Sequence, residues 1–363
     1  LITGEDVINF APYGNAGLPV SGETLLAIHA FPLGCAKVGG RLLAVHANKP
    51  DYTLKFAKRF LEENRKRIQT AQLSGDKKLA EGYYRMGTLL IDTLVEVHRT
   101  QSLADDDSVS ITAYHLSNSG QGADLQIYHL PLEITGFLFD VYRTDYREEW
   151  NAIVKRGWQL SKKKSANQQD GESFNPTFNV LYEDLLQLPE NATQFIRRYF
   201  LRTPSKYARL DDPRGTYSLQ SETDLISWGI TELFLRRVML MNKERIERIR
   251  DLGDGLAEYI YAENDRPFFN NFFTCDKYFV LRSLFIRLSV KQMKKGCPPV
   301  ISFDSYVDIF EYGEDLPYSD WRLAKDLVLI RMVEKLYQLG WIQQNSDKIP
   351  DTGLEGVEII TSM

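Results

Sequence analysis

Two β-type runs, residues 109–116 and 123–130, flank the six-residue tip Ser117-Asn-Ser-Gly-Gln-Gly122. Branched and aromatic residues alternate with polar ones on both sides of a glycine-bearing turn, and this pattern predicts an antiparallel hairpin. The N-terminal part of the chain must therefore contain sheet. The tip is polar and uncharged. Gly120 and Gly122 permit close backbone approach, while Asn118 and Gln121 each carry a donor and an acceptor. Two readings fit these six residues: ordinary hairpin-turn chemistry, or a tip able to meet the edge of a nucleic-acid groove without charge.

Around the hairpin the spacing is mostly helical. Residues 1–22 are rich in glycine and proline and read as a loop leading to a short helix capped by Ser21. Gly34 and Gly39-Gly40 precede Arg41-Leu-Leu-Ala-Val-His46, which reads as a short buried strand. Over 51–72, Leu54, Ala57, Leu61 and Ile68 define an apolar face, with Lys55, Arg59, Glu62 and Lys66 on another. A helix over 76–102 turns Leu79, Tyr83, Met86, Leu90, Leu94 and Val97 inward, and one over 145–164 does so with Trp150, Ile153, Val154 and Trp158.

Residues 161–172 are nearly devoid of apolar side chains and read as a linker. Helical segments follow at 222–251, 254–263, 275–295, 301–311 and 319–340, with Gly253, Gly296 and Gly340 near stops. The predicted class is α+β: an N-terminal mixed domain with a β-hairpin and several helices over 1–165, a linker and basic connecting segment over 166–220, and a C-terminal helical bundle over 221–363.

Composition narrows the function classes. No uninterrupted apolar run approaches the ~18 residues of a membrane span, and the opening residues show no signal-peptide pattern. Cys35, Cys275 and Cys297 are odd in number and far apart, which predicts a reducing, cytoplasmic setting. The net charge of −5 hides segregation, since 37–99 hold 13 basic and 7 acidic residues, 155–210 hold 10 and 5, and 299–363 hold 5 and 12. A polyanion bound locally, with other surfaces facing protein partners, fits that distribution.

Motifs that carry chemistry are scarce in the chain. None of the five histidines lies in a zinc or metalloprotease spacing; His115 and His129 are placed to face each other across the hairpin but lack a third ligand. Cys35-Ala-Lys-Val38 holds only the first half of a Cys-x-x-Cys knuckle, and neither a phosphate loop nor a nucleophile elbow occurs. Asp105-Asp-Asp107 reads as a solvated turn, and Asp304 and Asp308 share a helix face. No metal or cofactor is expected.

Binding remains. Arg197, Arg198 and Arg202 interleave with Phe195, Tyr199 and Phe200, either as phosphate contacts beside rings on which bases stack or as an amphipathic helix with an aromatic core face. Lys162, Lys163 and Lys164 could close over a nucleic-acid backbone or remain a solvated charge run. Arg236, Arg237, Lys243, Arg245, Arg248 and Arg250 form a basic stretch partly offset by Glu244 and Glu247.

Taken together, Gly17-Leu-Pro-Val-Ser-Gly22, Ala30-Phe-Pro-Leu-Gly-Cys-Ala-Lys37, Gly39-Gly-Arg-Leu-Leu-Ala-Val-His46, the hairpin tip and Trp321-Arg-Leu-Ala-Lys-Asp-Leu-Val-Leu-Ile-Arg331 resemble the large subunit (Cas8-type) of a type I-B CRISPR Cascade surveillance complex. The resemblance implies a non-enzymatic protein that recognises the protospacer-adjacent motif in double-stranded DNA, helps unwind it and stabilises the R-loop. Its implied partners are CRISPR RNA-containing backbone and guide 5′-end subunits, a small subunit, target duplex DNA and a helicase-nuclease, with no membrane.

It places Asn118, Ser119, Gly120 and Gln121 at the motif, in a minor groove whose code is degenerate. Lys162, Lys163, Lys164, Arg197, Arg198, Arg202, Arg237, Arg245 and Arg248 fall on the DNA backbone or the displaced strand. Val38 departs from the family's paired Cys-x-x-Cys pattern, so zinc is not expected. The alternatives are a metal-dependent nuclease using Asp105 to Asp107, Asp124 or Asp140, and a protein-only scaffold.

Overall fold

The computed structural model describes residues 20–75, 85–99, 109–119, 122–160, 176–206, 208–209, 212–312, 316–345 and 349. The chain is α+β, with a four-stranded antiparallel sheet in its N-terminal part and mostly helices in its C-terminal half. It divides into two compact units, residues 1–82 with 111–129, and residues 83–110 with 130–363. The expected boundaries at 165 and 220 both fall inside the second unit.

The first unit begins with α1 (Gly22–Ala30), whose N-cap Ser21 Oγ accepts from Thr24 N at 3.1 Å. A single turn leads to β1 (Ala36–Val38) and β2 (Arg41–Ala47). Gly39 and Gly40, at φ 55° and 80°, form the two-residue turn between them, which closes a hairpin because both central residues of such a turn need positive φ. Pro50 starts α2 (Pro50–Ser74) and Gly75, at φ 72°, ends it.

β3 (Ile111–Ser119) and β4 (Gly122–Leu130) complete the sheet in the order β1-β2-β3-β4, with Leu43 opposite His115 and Ala47 opposite Ile111. The core joins Leu43, Ala47, Ile111 and Ala113 of one sheet face to Tyr52, Phe56 and Phe60 of α2. Leu54, expected inward, is 53% exposed, and Ile68 is exposed too. The aromatic residues at i, i+4 and i+8 outcompete the aliphatic ones for the sheet because each buries more area.

The second unit starts with α3 (Met86–Arg99), on which Met86, Leu90, Leu94 and Val97 are buried as expected. Leu79 and Tyr83 of that expectation lie outside the described residues. Next come α4 (Leu132–Arg143) and α5 (Arg147–Arg156), then β5 (Trp158–Leu160) paired antiparallel with β6 (Pro176–Asn179). Trp158, expected on the helix of 145–164, is thus a strand residue, because α5 ends at Gly157. The expected linker 161–172 lies outside the described residues.

Beyond it are α6 (Val180–Leu185), α7 (Ala192–Phe195) continuing into a π-turn at Ile196–Phe200, α8 (Trp228–Arg237), α9 (Lys243–Glu263), α10 (Arg266–Thr274), α11 (Tyr278–Lys294), α12 (Phe303–Phe310), α13 (Trp321–Gln338) and α14 (Trp341–Asn345). The single helix expected over 222–251 is two helices. Gly253 lies within α9 rather than at a stop, whereas Gly296 and Gly340, at φ 73° and 77°, do follow helix ends. α13 is buried nearly all round and packs along α9. Lys325 caps α10 from α13, its Nζ donating to the carbonyls of Cys275 at 2.8 Å and Phe273 at 3.2 Å. No helix among the described residues is long and apolar enough to cross a membrane.

Candidate nucleic-acid interface

The hairpin of the first unit is built so that its outer strand stays uncovered. β4 buries nothing before Leu130, and Leu125 and Ile127 are exposed along it. Gly122 opens β4 at φ 114°, with no atom within 4 Å of where a Cβ would stand. Glycine is required here by backbone conformation, not by packing. Asn118 and Ser119 are the last residues of β3, while Gly120 and Gln121 lie outside the described residues.

The expected pairing of His115 with His129 does not form. His115 Nε2 donates to Val38 O at 3.1 Å, bridging to β1, while His129 Nδ1 lies 3.3 Å from Thr112 Oγ1. Arg41 and Asp124 pair at 2.5 Å beside the hairpin. Cys35 is buried, donates to Phe31 O at 3.2 Å, and has its thiol pushed up to about 11 by burial, which disfavours the thiolate a metal needs. Among the described residues no group of three or more His, Cys, Asp or Glu side chains converges as a metal site.

In the second unit the π-turn positions the arginines. Phe195, Tyr199 and Phe200 are all buried, and Phe195 and Phe200 each pack 5.3 Å from the Phe234 ring. The rings therefore belong to the core and cannot stack bases. Arg202 is also removed from any backbone contact, being 0% exposed. At φ 56° it folds back, donates to Glu222 Oε2 from Nε at 2.9 Å and Nη2 at 2.6 Å, and lies 3.9 Å from the Tyr217 ring centroid. Its role is structural, as one half of a buried ion pair.

Arg197 and Arg198 point elsewhere. With Gln194, Thr203, Pro204, Ser205 and Lys206 they line a polar pocket of about 210 Å³. Arg197 Nε stands 3.3 Å from Asp326 Oδ2, within ion-pair range but not aligned as a hydrogen bond. Burial pushes the Asp326 carboxyl up, against the pull of Arg197 and Lys325. Arg198 Nη1 donates to Asp184 Oδ2 at 3.1 Å, and that carboxylate also accepts from Tyr199 Oη at 2.8 Å and Arg214 Nη1 at 2.9 Å.

The pocket's guanidinium groups are anchored from behind, and Lys206 is exposed at its rim. Gln194, Thr203, Ser205 and Lys206 were not anticipated. The turn residues after Arg202 carried the available signal, since Thr203-Pro204-Ser205-Lys206 offers hydroxyls and a cation immediately beyond the arginines.

The basic stretch of the bundle is ion-paired within the chain, with Arg237 and Arg248 half-exposed and Arg245 more enclosed. Arg237 pairs with Asp140 at 2.5 Å, Arg245 is bidentate to Asp320 at 2.9 Å for each bond, and Arg248 pairs with Asp308 at 2.6 Å. Of the carboxylates considered for a nuclease, Asp124 and Asp140 are each held by an arginine, and Asp105 to Asp107 lie outside the described residues. Lys162, Lys163 and Lys164 also lie outside them. No family model, curated protein or solved structure matches the chain.

Proposed function

We propose that this protein is a non-catalytic DNA-recognition subunit of an RNA-guided CRISPR surveillance complex, with the hairpin tip reading a short duplex motif. The observation that carries this reading is the exposed strand β4, which opens at Gly122, held at positive φ and next in the sequence to Gln121. By sequence, a tip of serine, glycine and amide residues carries donors and acceptors with little bulk, which suits entry into a groove. The Arg197, Arg198 and Lys206 pocket supplies a place for a phosphate, giving affinity that does not depend on sequence. Guide pairing carries the long sequence and the protein reads motif and backbone.

The test uses the assembled ribonucleoprotein. Asn118→Ala with Gln121→Ala should weaken binding of a motif-bearing duplex at least ~10-fold, and binding of a single-stranded target complementary to the guide less than ~2-fold. Equal loss on both substrates makes the tip structural. Failure of the chain to assemble with guide RNA-bearing subunits removes the reading altogether, as does magnesium- or manganese-dependent DNA cleavage abolished by one carboxylate substitution.

A further inference from the structure

α11 is apolar on two faces, and only one of them is packed. Leu281, Leu284, Phe285 and Leu288 are buried, whereas Ile286, Val290 and Met293, at i, i+4 and i+7, are 56%, 41% and 59% exposed. An apolar helix face ordinarily packs against a neighbour. The open face forms one wall of a groove of about 420 Å³, closed on the other side by Pro299, Ile301 and the first residue of α12, Phe303, itself 70% exposed.

Across the ridge made by Ile286 and Val290 lies a second hollow of about 450 Å³, lined by Arg287, Lys291, Lys294 and Lys295. Lys291 and Lys295 are engaged by Asp265 and Glu263. Arg287 and Lys294 are exposed and have no carboxylate partner among the described residues. An apolar groove thus runs beside a basic strip on one helix.

We propose that this groove docks an amphipathic helical segment of a protein partner, one with apolar anchors at i, i+4 and i+7 and acidic residues along the flank that meets Arg287 and Lys294. Helix-in-groove recognition uses this anchor spacing, and the volume matches sites that accept a few large side chains. The basic strip selects sign and steers encounter. The shape disfavours a bilayer, because a concave wall cannot insert its apolar atoms among acyl chains. Of the rings that line the groove, Phe285 and Tyr306 are buried and Phe303 alone is open, which disfavours nucleic acid, since successive bases need successive stacking rings along their path. A second copy in two-fold contact would set one basic strip against another. The groove belongs to the second unit, and docking there does not depend on what the hairpin does.

The test is fluorescence anisotropy with the full chain and a synthetic fluorescein-labelled 18-residue helical peptide carrying leucine anchors and a glutamate flank. It should bind at least ~10-fold tighter than the same peptide with a lysine flank, and Ile286→Glu with Val290→Glu should abolish binding. Arg287→Glu with Lys294→Glu should invert the preference and favour the lysine-flanked peptide, a result that general loss of fold cannot produce; circular dichroism melts check each variant. Equal binding of both peptides overturns the proposal, as does equal binding by the Ile286/Val290 variant. It is also overturned if those substitutions change the sedimenting species, which assigns the groove to a second copy, or if they abolish binding to phosphatidylserine vesicles while the peptide does not bind. Peptide binding only after residues 350–363 are deleted assigns the groove to this chain's own terminus and likewise overturns it.

Discussion

At the level of single residues, the second unit depends on atoms that leave no room for alternatives. A Cβ at Gly253 would stand 2.8 Å from Cβ and Cγ of Arg331 and 3.2 Å from the carbonyl of Val328, so α9 and α13 approach each other through this glycine. Arg331 cannot simply swing away, since its guanidinium is bidentate to Asp254 at 2.8 and 3.0 Å. At Gly255 the same atom would make ordinary contacts, 3.4 Å from Val300 Cγ1. Replacing a helical glycine by alanine normally gains up to about 1 kcal/mol, while overpacking costs about 1–3 kcal/mol. Gly253→Ala should therefore destabilise by about 1–2 kcal/mol and Gly255→Ala should be neutral or stabilising, as urea midpoints at unchanged slope will show. Stabilisation by both would mean that the helices separate freely at Gly253.

At the level of elements, the first unit tests which face of α2 matters. Phe56 is fully buried and edge-on to Phe60 at 5.9 Å, whereas Leu54 projects outward. Phe56→Ala should cost about 3–5 kcal/mol and Leu54→Ala less than about 0.5 kcal/mol, measured by chemical denaturation; a reversal would put the aliphatic face on the sheet. Both faces of α2 show helical spacing in the sequence, and what decides between them is the shape of a sheet that no local window contains. The β3–β4 hairpin was legible because its signal is local, a turn between alternating runs. The Gly39-Gly40 hairpin had an equally local signal, yet β1 spans only three residues.

The arginines of the π-turn show where local reading stops. Arg197, Arg198 and Arg202 look alike in sequence, yet Arg202 is a core ion pair, because its acid Glu222 lies 20 residues away. The pocket lined by the other two takes shape only once Asp326 and Asp184 arrive from α13 and α6. Gly253 sits within α9 rather than at a stop for the same reason, since the helix it accommodates is encoded some 70 residues later.

At the scale of the whole molecule, half-buried carboxylates of the second unit pull stability in opposite directions with pH. Asp265 accepts from Lys291 Nζ at 2.6 Å, Tyr259 Oη at 2.5 Å and Phe268 N at 3.1 Å. Burial pushes its pKa up, but these bonds outweigh burial and hold it below the usual aspartate range. Asp212 behaves likewise, with burial opposed by the Arg214 guanidinium and backbone N–H. For such groups the unfolded chain binds more protons than the native one, so their stabilisation is complete above about pH 4 and is lost as pH falls through the native value.

Glu183 carries the other sign. Burial raises it above the usual glutamate range even though Thr88 donates to Oε1 from both N and Oγ1 at 2.7 Å, and Glu334 is raised by burial as well. Here the native state binds more protons, and stability declines as pH rises from about 4.3 through the native value. Glu183→Gln keeps an oxygen to accept from Thr88 and removes the buried charge. It should therefore flatten the decline above about pH 4.3, while Asp265→Asn should lower stability at pH 7 and flatten the loss below about pH 4. Urea denaturation of both variants across pH 3 to 7 reads the two slopes separately. A Glu183→Gln profile parallel to that of the unmodified chain would show that the carboxyl titrates as it does in water, with the Thr88 bonds offsetting its burial in full.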